Sequence, residues 1–175
     1  MVVMEVVHYP SQILEQICEE VTVFDEDLRN VAQEMAVAMY ASRGVGLAAP
    51  QVGLNKRVIT IDPTAGSTRD GLITLVNPKI TWQSKEIVSL LEGCLSLPGT
   101  IVTIERAECI EVTYQTVEGT IMTSSFTGWA ARIILHEIDH LDGIMMIDRL
   151  DKTERDVLLK CYTSRKSRES KRKKA

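Results

Sequence analysis

The segment 135–140, with the sequence LHEIDH, constrains the fold of this chain most, because its chemistry requires a helix. His136 and His140 are four residues apart, and on a helix this spacing places both side chains on one face, one turn apart. Two imidazoles so placed can bind one divalent cation, and Glu137 beside them can reach a water activated by it. The motif therefore predicts a hydrolytic metal site. On this short motif alone, a helix with two hydrogen-bonded histidines is the alternative.

The composition indicates a single globular domain. The 175 residues are 45% hydrophobic and 25% charged, which is sufficient for one ordinary core. No run approaches the roughly 18 apolar residues of a membrane span, and residues 1–10 lack the features of an export signal. We therefore expect a cytoplasmic protein, or one in an organelle interior if a presequence was removed. The four cysteines form no Cys-x-x-Cys pair, so free thiols are expected, one of them a candidate ligand.

Positive charge is concentrated at the C-terminal end of the chain. Residues 164–175 contain seven Lys or Arg residues and one Glu, whereas the whole chain has a net charge of −4. We expect one domain over 1–163 and a basic, flexible tail over 164–175. A solvated terminus and a docking tail for a polyanion such as RNA are both open interpretations. No aromatic residue lies among these charges, so base stacking is not indicated, and neither DNA nor a membrane is an expected partner.

The hydrophobic pattern predicts helices mixed with antiparallel strands. Helices are expected over 11–20, about 25–40 and 151–163, and the motif helix is expected to begin after Ser125 and to end at Asp142 and Gly143. Strands are expected at 57–61, 72–77, 85–90, 102–104, 110–115 and 119–124, with extended chain at 47–51. Because strands and helices do not alternate regularly, we predict an α+β fold, with antiparallel or mixed sheets packed around a central motif helix. Further helices are expected at the N-terminal and C-terminal ends.

A catalytic tetrahedral metal site usually has three protein ligands and one open position. No histidine follows His140, although Glu154 and Glu169 lie downstream. Upstream, Cys94 follows a glycine beside the end of a candidate strand. A lone cysteine is most often a small buried hydrophobic residue. Spacing therefore leaves the third ligand open.

Three segments together resemble the peptide deformylase family, in the family's order and spacing. They are GVGLAAPQ at 44–51, EGCLS at 92–96 and HEIDHLDG at 136–143. The similarity covers roughly residues 5–150 and looks like the type I subgroup. It implies a metal-dependent hydrolase that removes the N-terminal formyl group from formyl-methionine of newly synthesised polypeptides and releases formate. A small metallopeptidase is the alternative enzyme, and a non-catalytic metal protein docked on ribosomal RNA is the alternative from another class.

The resemblance also implies the residues of the site. The metal ligands would be Cys94, His136 and His140. Glu137 would be the acid–base residue, and the side chain of Gln51 with the backbone N–H of Leu95 would bind the oxyanion. Peptide binding would involve the backbone near Val45 and Gly46 and a methionine pocket, with these substrate-binding residues: Val45, Gly46, Glu92, Trp129, Arg132 and Ile133. For Val45 and Ile133 a core position is the alternative, and for Arg132 a solvated one.

The resemblance further implies one Fe²⁺ per chain, for which Zn²⁺, Ni²⁺ or Co²⁺ can substitute. The expected partners are formyl-methionyl nascent peptides and, through the basic tail, the ribosome, and a monomer is expected. The chain departs from the family at Leu135, where a Gln is usual, and near Ile101, where many members have a substrate-contacting Arg. Helical geometry directs Leu135 away from the ligand face. We also predict that Arg106 pairs with Asp139 and orients the motif helix.

Overall fold

The described part of the chain, residues 4–68 and 71–173 of a computed structural model, contains three α-helices, three short 3-10 helices and seven strands. The α-helices are α1 (Glu26–Ala41), α2 (Gly128–Leu141) and α3 (Lys152–Lys173), and the 3-10 helices are Gln12–Glu15, Ala49–Val52 and Met146–Arg149. The strands are β1 (Gly46–Ala48), β2 (Val58–Ile61), β3 (Ile73–Gln83), β4 (Ile87–Gly93), β5 (Ile101–Ala107), β6 (Cys109–Gln115) and β7 (Ile121–Thr127). The predicted α+β class is confirmed.

The strands form two antiparallel sheets. The larger sheet has the order β1-β2-β3-β6-β7, and β4 and β5 form a separate hairpin. Among the described strands, β1 pairs only with β2 and is therefore an edge strand of the larger sheet. The two sheets are antiparallel throughout, which matches the absence of a regular alternation of strands and helices in the sequence.

The motif helix α2 lies between the two sheets, in contact with β1, β2, β5, β6 and β7. Every residue from 131 to 141 is buried. Apolar side chains of one side, including Ile134, Leu135 and Ile138, join the core formed by the larger sheet. Leu135 is thus a core residue, in agreement with its predicted direction. The same helix buries Arg132, His136, Glu137, Asp139 and His140. Buried ionisable groups are costly unless they are paired or bind a ligand, so this side of α2 indicates a functional site.

The helix α1 agrees with its predicted range and role. Its N-cap is Asp25, whose carboxylate accepts the N–H of Leu28 at 3.1 Å. Met35 and Met39 are fully buried and pack with Leu47 of β1. These methionines are therefore core residues.

Two elements predicted in the first half of the chain are wrong, whereas the motif helix begins after Ser125 as predicted. A helix over 11–20 is reduced to Gln12–Glu15, because the N–H of Cys18 bonds to Leu141 O at 2.8 Å, outside any local helix. Residues 49–52 form a 3-10 helix rather than extended chain. The motif helix begins at Gly128 because the preceding serines, Ser124 and Ser125, pair with β6 as part of β7.

The C-terminal helix differs most from the prediction. It was expected to end at 163, but α3 continues to Lys173, so the described part of the basic segment is helical, and its flexibility stays a prediction. Its residues Arg165 and Lys166 contact the rest of the protein, as described below. Residues 174–175 of the predicted tail lie outside the described residues, and the division into two parts at 163 stays a prediction. No helix within residues 4–68 and 71–173 combines the length and the apolar character that crossing a bilayer requires.

Candidate active site

The fold brings Cys94, which follows the last residue of β4, to the two histidines of α2. One ligand atom from each of Cys94, His136 and His140 lies within 4.8 Å of the others, and Cys94 Sγ is 3.2 Å from His140 Nε2. All three side chains are buried. We call these three residues the Cys–His–His cluster. Sequence spacing left the third ligand open, and the structure brings Cys94 rather than a downstream carboxylate to the histidines.

The cluster fits a divalent transition metal. Burial alone would raise the pKa of the Cys94 thiol, but the adjacent rings of His140 and His136 hold this pKa well below its usual value. The thiolate is the form of cysteine that binds metals. One thiolate and two imidazoles suit iron, zinc, nickel or cobalt, so the donor set does not select one of them.

Glu137 is a buried carboxylate beside the cluster. Its Oε2 atom has no hydrogen-bond partner among the described residues, and burial raises the pKa of Glu137 to about 7. A Cβ atom at Gly46 would lie 2.4 Å from Oε1 of Glu137, so the carboxylate occupies space that only a glycine leaves free. A carboxylate with a pKa near neutrality can both accept and return a proton, which suits an acid–base residue.

Gln51 directs an amide donor toward the cluster. The 3-10 helix after β1 places its Oε1 atom 2.8 Å from the N–H of Ala48, which fixes the orientation of the amide. Its Nε2 atom then donates to Ser96 Oγ at 3.2 Å and points to Cys94 Sγ at 3.6 Å. Leu95 follows Cys94 in a turn that the N–H of Leu97 closes onto Cys94 O at 3.0 Å. Gln51 and Leu95 both line the cavity beside the cluster.

A buried ion network surrounds His136. Glu92 Oε2 lies 2.9 Å from His136 Nδ1, and Arg106 and Arg132 donate to the same carboxylate at distances of 2.6 to 2.9 Å. Burial alone would raise the pKa of Glu92, but the hydrogen bonds from His136 and Arg106 lower it to about 2. Glu92 is therefore an ionised acceptor that leaves His136 Nε2 free for a metal. Such carboxylates orient the ligating histidine and increase its basicity.

The network continues from Arg106 to Asp139. Arg106 Nη1 donates to Asp139 Oδ2 at 2.9 Å, which confirms the predicted pair. Arg149 also donates to Asp139, through two nitrogens at 2.6 and 2.5 Å. Sequence reasoning missed the contacts of Arg149 and Ser96. A lone Arg carries no motif, although the position of Arg149 soon after the motif helix was a usable signal, and Ser96 was noted only as part of the segment EGCLS.

A cavity of about 470 Å³ opens beside the cluster. Its wall includes all six residues predicted to bind substrate: Val45, Gly46, Glu92, Trp129, Arg132 and Ile133. Trp129 is 45% exposed and lies at the mouth. Val45 and Ile133 also pack against the core, so for these two residues the core interpretation holds as well. Glu92 also binds Arg132 and His136 through its carboxylate, so these two charged residues build the wall of the cavity, and their contact with substrate stays a prediction.

Comparison with known proteins agrees with this geometry. Residues 3–156 match the profile of the polypeptide deformylase family. The peptide deformylase of Thermodesulfovibrio yellowstonii is 39% identical over 166 residues, which cover 95% of this chain and 100% of that protein. Peptide deformylase 1 of a Nostoc species is 40% identical over 147 residues, covering 83% of this chain and 79% of that protein.

Solved structures show the same likeness. A peptide deformylase from Legionella pneumophila has a TM-score of 0.90 at 32% identity, covering 97% of this chain and 98% of that chain. A peptide deformylase from Synechococcus elongatus, solved in complex with actinonin, has a TM-score of 0.85 at 35% identity, covering 90% and 86% of the two chains. Sequence, fold and the buried Cys–His–His cluster thus agree, and the chain belongs to the polypeptide deformylase family.

Proposed function

We propose that this chain hydrolyses the N-terminal formyl group of new polypeptides in the cavity beside the Cys–His–His cluster, with Glu137 as the acid–base residue. The deformylase reaction follows from membership of the family. The observation that carries the assignment of roles is Glu137 itself, a buried carboxylate with an unpartnered oxygen next to three metal-type ligand atoms. A helix whose two histidines were merely hydrogen-bonded would not require a buried ionisable carboxylate beside them.

Cys94, His136 and His140 would hold one divalent ion, and we propose Fe²⁺, with Zn²⁺, Ni²⁺ or Co²⁺ as substitutes. Such an ion would polarise the formyl carbonyl and lower the pKa of a water molecule. Fe²⁺ is proposed from the family resemblance, because the donor set alone suits several metals. Glu92 would keep His136 in the tautomer that presents Nε2 to the ion.

The peptide would bind along the open edge of β1. Val45 O accepts the N–H of Asp62 at 2.8 Å, and in an antiparallel pair the hydrogen-bonding direction alternates from one residue to the next. The N–H and C=O of Gly46 are therefore directed to the open edge, where an extended peptide can add as a strand. The methionine side chain would then enter the cavity, where Trp129 can contact its sulfur.

The chemical steps can be assigned to residues of the chain. Glu137 accepts a proton from the attacking water as the water oxygen bonds to the formyl carbon. The carbonyl oxygen becomes negative and accepts hydrogen bonds from Gln51 Nε2 and from the N–H of Leu95. Glu137 then gives the proton to the leaving nitrogen, and the C–N bond breaks. Formate departs, and the peptide keeps a free α-amino group.

The partners of this chain include formyl-methionyl nascent peptides, which are the substrates of the family. Beyond these we propose contact with the ribosome through the basic C-terminal segment, a monomeric state, and a location in the cytoplasm or an organelle interior, where such peptides are made. The ribosome proposal is supported by the seven basic residues of 164–175. A small metallopeptidase is not favoured, because the family match is to deformylases and the third candidate ligand is Cys94.

The test is formate release from a formyl-Met tripeptide by protein purified without oxygen and loaded with Fe²⁺. Glu137→Gln should lower kcat by about 10²–10⁴-fold, because proton transfer by a positioned group contributes about this factor. The metal content of the variant should equal that of the parent. Undiminished release by Glu137→Gln would contradict the acid–base assignment, and cleavage of an unformylated internal peptide bond would indicate a peptidase.

A further inference from the structure

The residues 98–101, which we call the rim loop, lead from the turn that carries Cys94 into strand β5, of which Ile101 is the first residue. All four line the cavity beside the Cys–His–His cluster. Pro98 and Gly99 are exposed, whereas Thr100 is buried and its N–H donates to Leu97 O at 3.2 Å. Gly99 has a φ of +71°, in the left-handed region that favours glycine. Hydrogen bonds from another element would restrict the conformations open to Pro98 and Gly99.

Arg165 of α3 supplies these contacts. Its Nη1 donates to Gly99 O at 2.7 Å, its Nη2 donates to Pro98 O, and Thr100 Oγ1 lies 3.5 Å from Nη2. The guanidinium also lies over the ring of Tyr162, 5.6 Å from the centroid, on the preceding turn of the same helix. A planar fork with several donors can bridge adjacent carbonyl oxygens in a way that a single ammonium cannot. Arg165 therefore joins the C-terminal helix to the wall of the cavity.

A second set of contacts holds the same side of α3 against the N-terminal segment. Lys166 Nζ and Tyr162 OH both donate to Tyr9 O, at 3.0 and 3.3 Å. The N–H of Tyr9 in turn donates to Ser96 O at 2.9 Å. These bonds fix the position of α3 relative to the turn that carries Cys94. Arg165 therefore contacts the rim loop from a helix that is itself held in place.

We propose that Arg165 is a positioning residue that holds the rim loop in the conformation that binds peptide. This inference rests on the proposed function, since the rim loop is a wall of the proposed peptide site. The recorded contacts of Arg165 are with the rim loop and Tyr162 rather than with the cluster, Glu137 or Gln51. Its loss should therefore weaken peptide binding while leaving the chemical step unchanged, because an unrestrained loop must be ordered each time a peptide binds.

Steady-state kinetics with a formyl-Met tripeptide test this role in the full-length, metal-loaded enzyme. Arg165→Ala should raise KM about 3- to 10-fold with kcat within about twofold of the parent, as expected when an interaction that stabilises the bound substrate and the transition state equally is lost. Arg168→Ala is the matched control, because Arg168 is exposed on the same helix. Arg165→Lys should have an intermediate KM, since its ammonium can reach one carbonyl oxygen.

Hydrogen exchange gives a readout that does not depend on turnover. The amides of Leu97, Gly99, Thr100 and Ile101 should exchange faster in Arg165→Ala than in Arg168→Ala, while those of α2 should be unchanged. If Arg165→Ala does not fold, Arg165→Lys provides both measurements. Equal KM values in Arg165→Ala and Arg168→Ala, unchanged exchange in the rim loop, or a fall in kcat at constant KM would each overturn the proposal.

Failure of the proposed function would look different. In that case neither the parent nor Arg168→Ala would release formate, and hydrogen exchange alone would decide whether Arg165 restrains the rim loop. Release by the parent with identical kinetics in all three variants would instead leave the deformylase assignment standing and remove the role of Arg165.

Discussion

Glu92 Oε2 lies 2.9 Å from Nδ1 of His136, and both side chains are buried. Glu92 comes from β4, only two residues before Cys94, whereas His136 comes from α2. One short segment thus provides a metal-type ligand and the carboxylate that orients a second ligand. The position of Cys94 and the tautomer of His136 are consequently set by the same strand.

Glu92→Gln is expected to weaken metal binding. The amide keeps the size of the side chain but removes the charge that accepts from His136, and loss of such a partner typically costs about 10- to 100-fold in metal affinity. The measurement is competition with a calibrated chelator. Glu105→Gln is the matched control, because Glu105 is exposed on the neighbouring strand β5 and bonds only to Ser89 Oγ among its recorded partners. Equal affinities for the two variants would contradict the role of Glu92.

Gly46→Ala is expected to lower kcat/KM by about 10²-fold, a loss typical of a misplacement of about 1 Å at a reacting group. The added Cβ would lie 2.4 Å from Glu137 Oε1 and 2.7 Å from Ile133 Cγ2, so the Glu137 carboxylate, which we propose as the acid–base group, must move. Gly53→Ala is the control, because a Cβ there meets no atom within 4 Å. Since Gly53 has a φ of +82°, this substitution should lower the stability of the fold rather than displace Glu137. Formate release by the two variants, compared at equal folded fraction, decides the question. Full activity of Gly46→Ala would show that Glu137 tolerates displacement.

The stability contributed by Asp62 is expected to depend on pH. Burial alone would raise its pKa, but hydrogen bonds from the Thr64 side chain, the Tyr40 hydroxyl and the N–H groups of Thr64 and Gly66 hold it below the usual value. Because the folded-state pKa is lowered, the stabilisation is complete above the unfolded pKa of about 4 and disappears as pH falls through the lower folded value.

Asp62→Asn should therefore be less stable than the parent at pH 7, by about 1–3 kcal/mol, and the difference should shrink below about pH 4. Urea unfolding of the metal-free protein is the measurement, since protons also compete for metal ligands. Glu118→Gln, at an exposed turn, should show a small difference at every pH. A difference in stability between Asp62→Asn and the parent that stays constant down to pH 3 would contradict a contribution from the ionised Asp62 carboxylate.

The elements whose structure depends on local sequence pattern were predicted well. The four-residue spacing of His136 and His140 predicted a helix, and the stripe of apolar residues placed α1 to within one residue. The meeting of Cys94 with these histidines was beyond local pattern, because it depends on the docking of the β4–β5 hairpin against α2. Only the family resemblance supplied that contact in advance.

Charged residues were the harder class to interpret. Arg165 was assigned to the basic tail, and Arg132 was predicted to bind substrate, with a solvated position as the alternative, yet each donates to carbonyl oxygens of distant segments. A sequence gives the charge of such a residue but not the acceptor that the fold brings to it. The pair of Arg106 and Asp139 was the exception, because Asp139 lies within the motif itself and is buried together with the motif helix.

The edge strand β1 is only three residues long and ends at the 3-10 helix that carries Gln51. An unpaired strand edge can seed association between copies of a protein, and a short edge offers few positions for such a ladder. β1 can therefore receive an extended chain end next to the cluster and is still a poor template for aggregation. Because this strand is short, the protein can keep an unpaired strand edge without promoting association between its copies.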